Sequence, residues 1–504
     1  MNTTDPHDPE LDQDLGERIM DWSLGERLGG ERAPDVRAAV AARLAAPVRR
    51  AGTSRWLAAA ILLLGVVAVG GVAMWPRQSG EPVPVAPAPT QEPRREFANT
   101  VAEANALPAT TRAVEVSCGD DAVIAALTRL HELEVLIVRE PSNESFGLGL
   151  KMAAPAEVKH ITSASWQHFA KFTKLRRLDL RGTVLVGRFG ADTTAEAMAG
   201  LERLPLLESV TLRCLDTRDA VLKRLGALRN LRTLDLSFNH GFAEEGLREL
   251  LQCTSLRKVS LSGCQQLHGN WLAMLQQLPE LEELDVSAID GINWRAGTAE
   301  PMDDESTRVL REARGWANSL QAGVNDAALA GFAKCPRLCI LDISGGRWSA
   351  GGLAELGAST SLRELDMFGG QIADSGFVAS LPKQLERLEV CGEYDDRLCA
   401  AIREHLTRLR SITVAACYQI TDRGLAELCA MPSLRVLDMR QMRGLTADSV
   451  TTLAKAKQLE ELDLRHNDWL TVAHVLAIKR ALPKLRAVQT NFSPEELAAA
   501  ERLR

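Results

Sequence analysis

Apolar residues recur along most of this chain in the short pattern LxxLxL. The clearest case is 409–433, LRSITVAACYQITDRGLAELCAMPS. Leu409, Ile412 and Val414 give the alternation of a short strand with one buried face. Cys417 follows at the ninth position. A turn at Ile420-Thr421-Asp422 leads to Leu425 and Leu428, which recur at a helical step. The next strand pattern, LRVLDM, opens at once at 434. One strand and one helix of this size cannot bury their own apolar faces, so the unit requires copies on both sides.

The copies are present. Strands are expected at Ala113–Val116 and Leu133–Val138. Further strand units open at Leu175, Leu207, Leu231, Leu256, Leu281, Leu338, Leu362, Leu385, Leu409, Leu434, Leu459 and Leu485. Most successive starts from Leu207 on differ by 23 to 26 residues, within the roughly 20–29 of leucine-rich repeats. Two stretches depart from the pattern. Residues 139–160 read as an insertion. The interval from Leu281 to Leu338 is 57 residues, and its preferred reading is a worn repeat with a degenerate strand at 313–320 and a loop at 288–305. Trp294 and Trp316 fall in it, and Trp271 and Trp348 flank it. Exposed, Trp294, Trp316 and Trp348 would suit a binding surface. The competing reading, slightly favoured, has them filling space where leucines are missing. At the end, Ser493, Pro494 and Glu496 have the spacing of a capping box, predicting a terminal helix over 493–504.

The N-terminal part follows other rules. Residues 1–13 are polar, acidic and proline-broken, the composition of a disordered segment. Residues 14–55 contain two amphipathic patterns separated by Gly29-Gly30, a small helical head. It is either a plain spacer or a docking site, over 14–46, for a cytoplasmic partner. Residues 56–75, WLAAAILLLGVVAVGGVAMW, carry no charge and end in tryptophans. About 20 helical residues cross a bilayer core. Arg49, Arg50 and Arg55 precede the stretch, so the positive-inside rule predicts a single-pass membrane protein with a cytoplasmic N-terminus. The repeats would then be extracytoplasmic, on the periplasmic side of an inner membrane if the cell is Gram-negative. A cleaved or twin-arginine signal peptide fits less well, because the preceding segment is too long and its flanks are wrong. Residues 76–111 begin as a proline-rich linker.

The motif LxxLxLxx[CN]xx[IL]TDxGLxxL resembles that of the leucine-rich-repeat superfamily. The unit at 409–433 is most similar to the cysteine-containing, ribonuclease-inhibitor-like subclass. The resemblance covers about 112–492 and implies an α/β solenoid, a horseshoe with a concave parallel sheet and convex helices. It also implies that the ninth residue (Asn239, Cys264, Cys417, Asn467) turns inward and bonds backbone. Residues 24–47, LGERLGGERAPDVRAAVAARLAAP, resemble the short heads of some bacterial membrane proteins, anti-sigma-type regulators among them. That would make a signalling regulator the alternative function.

Composition narrows the chemistry. A formal net charge of -7 gives no basic footprint for nucleic acid. Ten cysteines in 504 residues are too sparse for a disulfide framework. Cys253 and Cys335 occupy equivalent repeat positions, which points to scaffold use, and neither a metal nor another cofactor is expected. The fifth repeat position holds Asp235, Asp285, Asp342, Asp366, Asp438 and Asp463, with Asp179 and Glu389 in the same register. Such a ladder could attract a basic ligand. Nearby arginines, Arg387, Arg440 and Arg465 among them, would neutralise much of it, so solvated scaffold residues are the favoured reading. No phosphate loop, zinc-protease, nucleophile-elbow or dinucleotide motif is found. The sequence therefore predicts a membrane-anchored, non-catalytic recognition protein whose repeats bind a protein or glycan at the cell envelope.

Overall fold

In a computed structural model, the described residues are 93–117, 120–139, 165–181, 200–213, 217–237, 239, 241–264, 267, 269–287, 324–368 and 374–502. The chain divides into two units, Met1–Gln78 and Ser79–Arg504, and every described residue lies in the second. The head at 14–55 and the apolar stretch at 56–75 lie outside the described residues.

Among the described residues the second unit holds one parallel sheet of fifteen strands, each paired to its neighbour in sequence. The strands are β1 (Glu96–Phe97), β2 (Ala113–Val116), β3 (Val135–Arg139), β4 (Arg177–Arg181), β5 (Ser209–Arg213), β6 (Thr233–Asp235), β7 (Lys258–Ser260), β8 (Glu283–Asp285), β9 (Ile340–Asp342), β10 (Glu364–Asp366), β11 (Arg387–Glu389), β12 (Ser411–Thr413), β13 (Val436–Asp438), β14 (Glu461–Asp463) and β15 (Ala487–Gln489). A helix or 3₁₀ turn returns the chain between most of them. This strand-by-strand order is that of an α/β leucine-rich-repeat solenoid. The sheet starts at Glu96–Phe97, inside the stretch expected as linker.

The leucine spacing puts positions one, four and six on the side that faces the helices. Leu409, Ile412, Val414, Leu425 and Leu428 are all fully buried. Each such side chain contributes about 1.5–3 kcal/mol by leaving water, and the same stack repeats in every unit. The second-position carbonyl accepts two amides of the next repeat, as Glu386 does from Arg410 (2.8 Å) and Ser411 (3.0 Å). That doubled bond holds neighbouring strands in one register.

Three residues past β7, β9, β12, β13 and β14 stands a residue with left-handed backbone. Gly263 (φ 70°) and Gly345 (φ 75°) take it without strain, but Ala416 (φ 56°), Gln441 (φ 58°) and His466 (φ 59°) also occupy it. The turn is retained because the amide there reaches the next repeat. Ala416 N–H donates to Arg440 O and Gln441 N–H to Arg465 O, both at 3.0 Å. A side chain in this region costs about 1–2 kcal/mol, while glycine raises unfolded-state entropy by part of that. Ala416→Gly is therefore expected to stabilise the array by about 0.5–1 kcal/mol in urea unfolding.

Two expectations are corrected. β8 pairs directly with β9, Leu284 opposite Leu341, so the extra strand expected at 313–320 has no place between them. The helices agree: Gly331 lies against Ala273, with room for no Cβ (2.6 Å to Ala273 Cα). β8 and the helix Asp326–Phe332 thus belong to one repeat; residues 288–323 lie outside the described residues. The single-pass membrane localisation is the second correction. No helix among the described residues is long and apolar enough to cross a membrane. The longest, Asp396–His405 and Val472–Ala481, have ten residues, or about 15 Å, half of a bilayer core.

Candidate functional site

The side of the sheet turned away from the helices is built by positions three, five and seven of each repeat. Its candidates Asp235, Asp285, Asp342, Asp366, Asp438 and Asp463 lie on β6, β8, β9, β10, β13 and β14. All six share one local role. Each carboxylate accepts the backbone amide two residues ahead: Ser237 (2.9 Å), Ser287 (3.0 Å), Ser344 (3.0 Å), Phe368 (3.2 Å), Arg440 (3.2 Å) and Arg465 (3.1 Å). Aspartate suits this position because its short side chain can reach that amide and so help end the strand.

That bond occupies part of each carboxylate, and on the sheet surface serine hydroxyls take more: Ser237 donates to Asp235, Ser260 (3.1 Å) and Ser287 (2.6 Å) to Asp285, and Ser344 (2.7 Å) to Asp366, while Asp342 and Asp463 are buried. On β8–β14 this surface carries Glu283, Asp285, Asp342, Glu364, Asp366, Glu389, Asp438, Glu461 and Asp463 against Arg387, Arg440 and Arg465. Strand spacing of about 4.8 Å brings these charges close together. The arginines pair within their own strands: Arg440 with Asp438 (3.0 Å), Arg465 with Asp463 (2.6 Å), and Arg387 with Glu389. β8, β9 and β10 bring no cation to positions three, five or seven. The acidity is local, since at the other end of the sheet Ala113, Val135 and Ile137 form a separate apolar cluster on the same face.

Asp438 shows what the crowding costs. Burial pushes its pKa up to about 6, Arg440 pulls against that, and the charges of Asp463 and Glu389 add to the rise. Asp438 stands directly opposite Asp463 in the register. A folded pKa above the unfolded carboxylate value of about 4 means the native state binds the extra proton. Asp438 therefore weakens the fold at neutral pH, and the penalty fades as pH falls from about 6 to 4. Asp438→Asn is expected to raise stability at pH 7 by about 1–2 kcal/mol, limited by the partner Arg440 loses. Urea unfolding should show no such gain at pH 4.

The third-position glutamates Glu283, Glu364 and Glu461 were missed by sequence reasoning, although LEELDV, LRELDM and LEELDL put a carboxylate in the same place each time. Trp348 follows the space-filling reading and not the binding one: it is buried, and its Nε1 donates to Ile343 O at 3.3 Å. It fills core and is unavailable to a ligand. Trp294 and Trp316 lie outside the described residues.

The described cysteines are scaffold. All eight described are free thiols. Burial pushes Cys335, Cys417 and Cys429 up to about 12, where a thiol is a small apolar group and not a nucleophile. No group of His, Cys, Asp and Glu among the described residues is arranged to hold a metal ion.

Comparison with known proteins agrees on the repeat. A family model described as a leucine-rich repeat matches residues 227–251 and 358–379. No curated protein matches the chain. Among solved structures, yeast Rad7 in complex with Elc1 is 14% identical with a TM-score of 0.43, over 91% of this chain and 98% of that one. An internalin, InlF of Listeria monocytogenes, is 15% identical with a TM-score of 0.39, over 73% of this chain and 83% of that one. TLR13, in a complex with ssRNA13, is 15% identical with a TM-score of 0.39, over 78% of this chain and 52% of that one. Two stretches of the chain thus match the leucine-rich-repeat pattern, and proteins built of such repeats are generally protein-interaction modules.

Proposed function

We propose that this protein is a non-catalytic recognition array whose sheet face over β8–β14 receives a basic segment of a protein partner. One observation carries the reading. Asp438 and Asp463 sit side by side in register although burial raises the Asp438 pKa to about 6 and the Asp463 charge adds to that rise. Like charges held together at a cost in stability are a mark of a surface kept for a ligand. A bound cation would relieve that repulsion and draw the Asp438 proton off.

The test is anisotropy titration of a labelled lysine-rich peptide with the full chain. Binding should weaken steeply with salt. Between pH 5 and 7 it should tighten as Asp438 ionises, by about threefold or more. Asp366→Asn and Asp438→Asn together should weaken it at least as much. Undetectable binding at low salt, or binding indifferent to both substitutions, would remove the proposal. Salt-independent capture of a neutral oligosaccharide would point to a glycan instead.

A further inference from the structure

Beyond the strand ends of the acidic region, one side-chain pair stands out. Tyr418 is among the few exposed large hydrophobic residues, 38% accessible. The guanidinium of Arg443 lies over its ring, with Cζ 4.5 Å from the centre. Both occupy the tenth position of their repeats, just past β12 and β13. Arg443 is exposed and makes no hydrogen bond or ion pair among the described residues. Asp468, at the tenth position of the next repeat, is also exposed and does not pair with it.

The backbone beneath the pair is fixed. Gly444 lies so close to Ile420 O that an added Cβ would collide with it and would stand 3.2 Å from Tyr418 O. Met442 N–H donates to Asn467 Oδ1 at 3.0 Å, and Gln441 N–H is held by Arg465 O at 3.0 Å. The loop carrying Arg443 is thus pinned to the repeats on both sides. An arginine resting on an aromatic ring keeps its N–H fork available for an oxyanion, and a preset fork loses little entropy on binding.

We propose that Tyr418 and Arg443 form a preset receiving point for a side-chain carboxylate of the protein partner. This rests on the preceding reading for the partner's presence on the neighbouring strands. A carboxylate fits better than a phosphate. The nearby Arg440 and Arg465 are engaged by Asp438 and Asp463, so one fork faces the ligand. Asp468 beside it would repel a dianion more than a monoanion.

The full chain is titrated with three peptides: a lysine-alanine octamer, the same octamer extended by Gly-Glu-Glu, and Gly-Glu-Glu alone. The extension should raise affinity at least threefold. Arg443→Ala should abolish that gain and Arg443→Lys should lose most of it, both leaving the octamer's affinity unchanged. No gain, or a gain that survives Arg443→Ala, overturns the receiving point while the basic-segment reading stands. If the octamer does not bind, that reading fails, and saturation-transfer NMR of Gly-Glu-Glu decides the rest. Signal lost in Arg443→Ala supports the point; no signal, or unchanged signal, overturns it. Displacement of the gain by millimolar inorganic phosphate would also overturn it, in favour of a free-anion site.

Discussion

Replacing Gly424 by alanine is expected to cost about 3 kcal/mol or more, a large effect for one methyl group. The reason lies in the preceding repeat. Asp396 opens the helix Asp396–His405, yet its carboxylate serves the next helix. It accepts Thr421 N–H (2.7 Å), Thr421 Oγ1–H (2.7 Å) and Gly424 N–H (3.0 Å). A Cβ on Gly424 would stand 2.6 Å from Asp396 Oδ1, 2.9 Å from Ile420 Cγ2 and 3.2 Å from Cys399 Sγ. The carboxylate must withdraw, so overpacking and the loss of two amide bonds come together. Asp396→Ala alone should cost about 2 kcal/mol by orphaning the same amides. With the carboxylate gone, Gly424→Ala should do less harm, so the double variant should fall short of additivity by about 1 kcal/mol or more.

Urea unfolding of the four chains measures this cycle, and limited proteolysis between 395 and 424 reports whether the two repeats uncouple. Additive losses, or a Gly424→Ala chain within 1 kcal/mol of the parent, would refute the interlock. The device recurs. Asp219 accepts Ala243 N–H (2.7 Å) and Gly246 N–H (3.1 Å), and Asp326 accepts Ser349 N–H (2.7 Å). Gly246 and Gly352 face those carboxylates with no space for a Cβ. Asp422 continues the chain of caps to Thr446 and Ser449. Those hydrogen bonds hold its carboxyl below the usual range although burial opposes them.

This interlock shows how much could be read from residues alone. The Thr-Asp-x-Gly turn was visible as a motif in 420–425, and the LxxLxL spacing located every strand from Ala113–Val116 to Ala487–Gln489. Both depend on local period, which a sequence displays directly. What joins one repeat to the next does not show, because Asp396 and Gly424 meet only after a full turn of the solenoid. The same limit explains the 57-residue interval. Counting along the chain favoured a worn repeat, but the direct pairing of Leu284 with Leu341 depends on strands far apart in sequence. Trp348 had no periodic signature to tell core from surface. β1 was missed because two residues, Glu96 and Phe97, are too few to show alternation. The carboxylate ladder was legible in position. Its double use, ending strands and charging one face, emerged only with the register.

Asn467→Ala should cost about 3 kcal/mol, and the identity of the replacement separates hydrogen bonding from packing. The Asn467 side chain is buried and fully used. Its Nδ2 donates to Met439 O (2.8 Å) and Leu464 O (3.0 Å), and its Oδ1 accepts Met442 N–H (3.0 Å). Alanine would leave two carbonyls and one amide without these partners, away from water. Aspartate has nearly the same shape but cannot donate when ionised, and would aim charge at both carbonyls. Asn467→Asp should therefore be at least as damaging as Asn467→Ala at pH 7. Cysteine should be milder, by about 1 kcal/mol, because a thiol can keep one contact, as Cys264 Sγ does to Leu236 O at 3.2 Å. Thermal and urea unfolding of the three variants would give the order Cys, Ala, Asp in increasing loss. If aspartate were tolerated as well as cysteine, volume and not donor chemistry would be what the ninth position requires. Met442 adjoins Arg443, so the alanine variant should also loosen the loop that holds Arg443 over Tyr418. The gain from an acidic peptide extension should then fall at temperatures where the array is still folded.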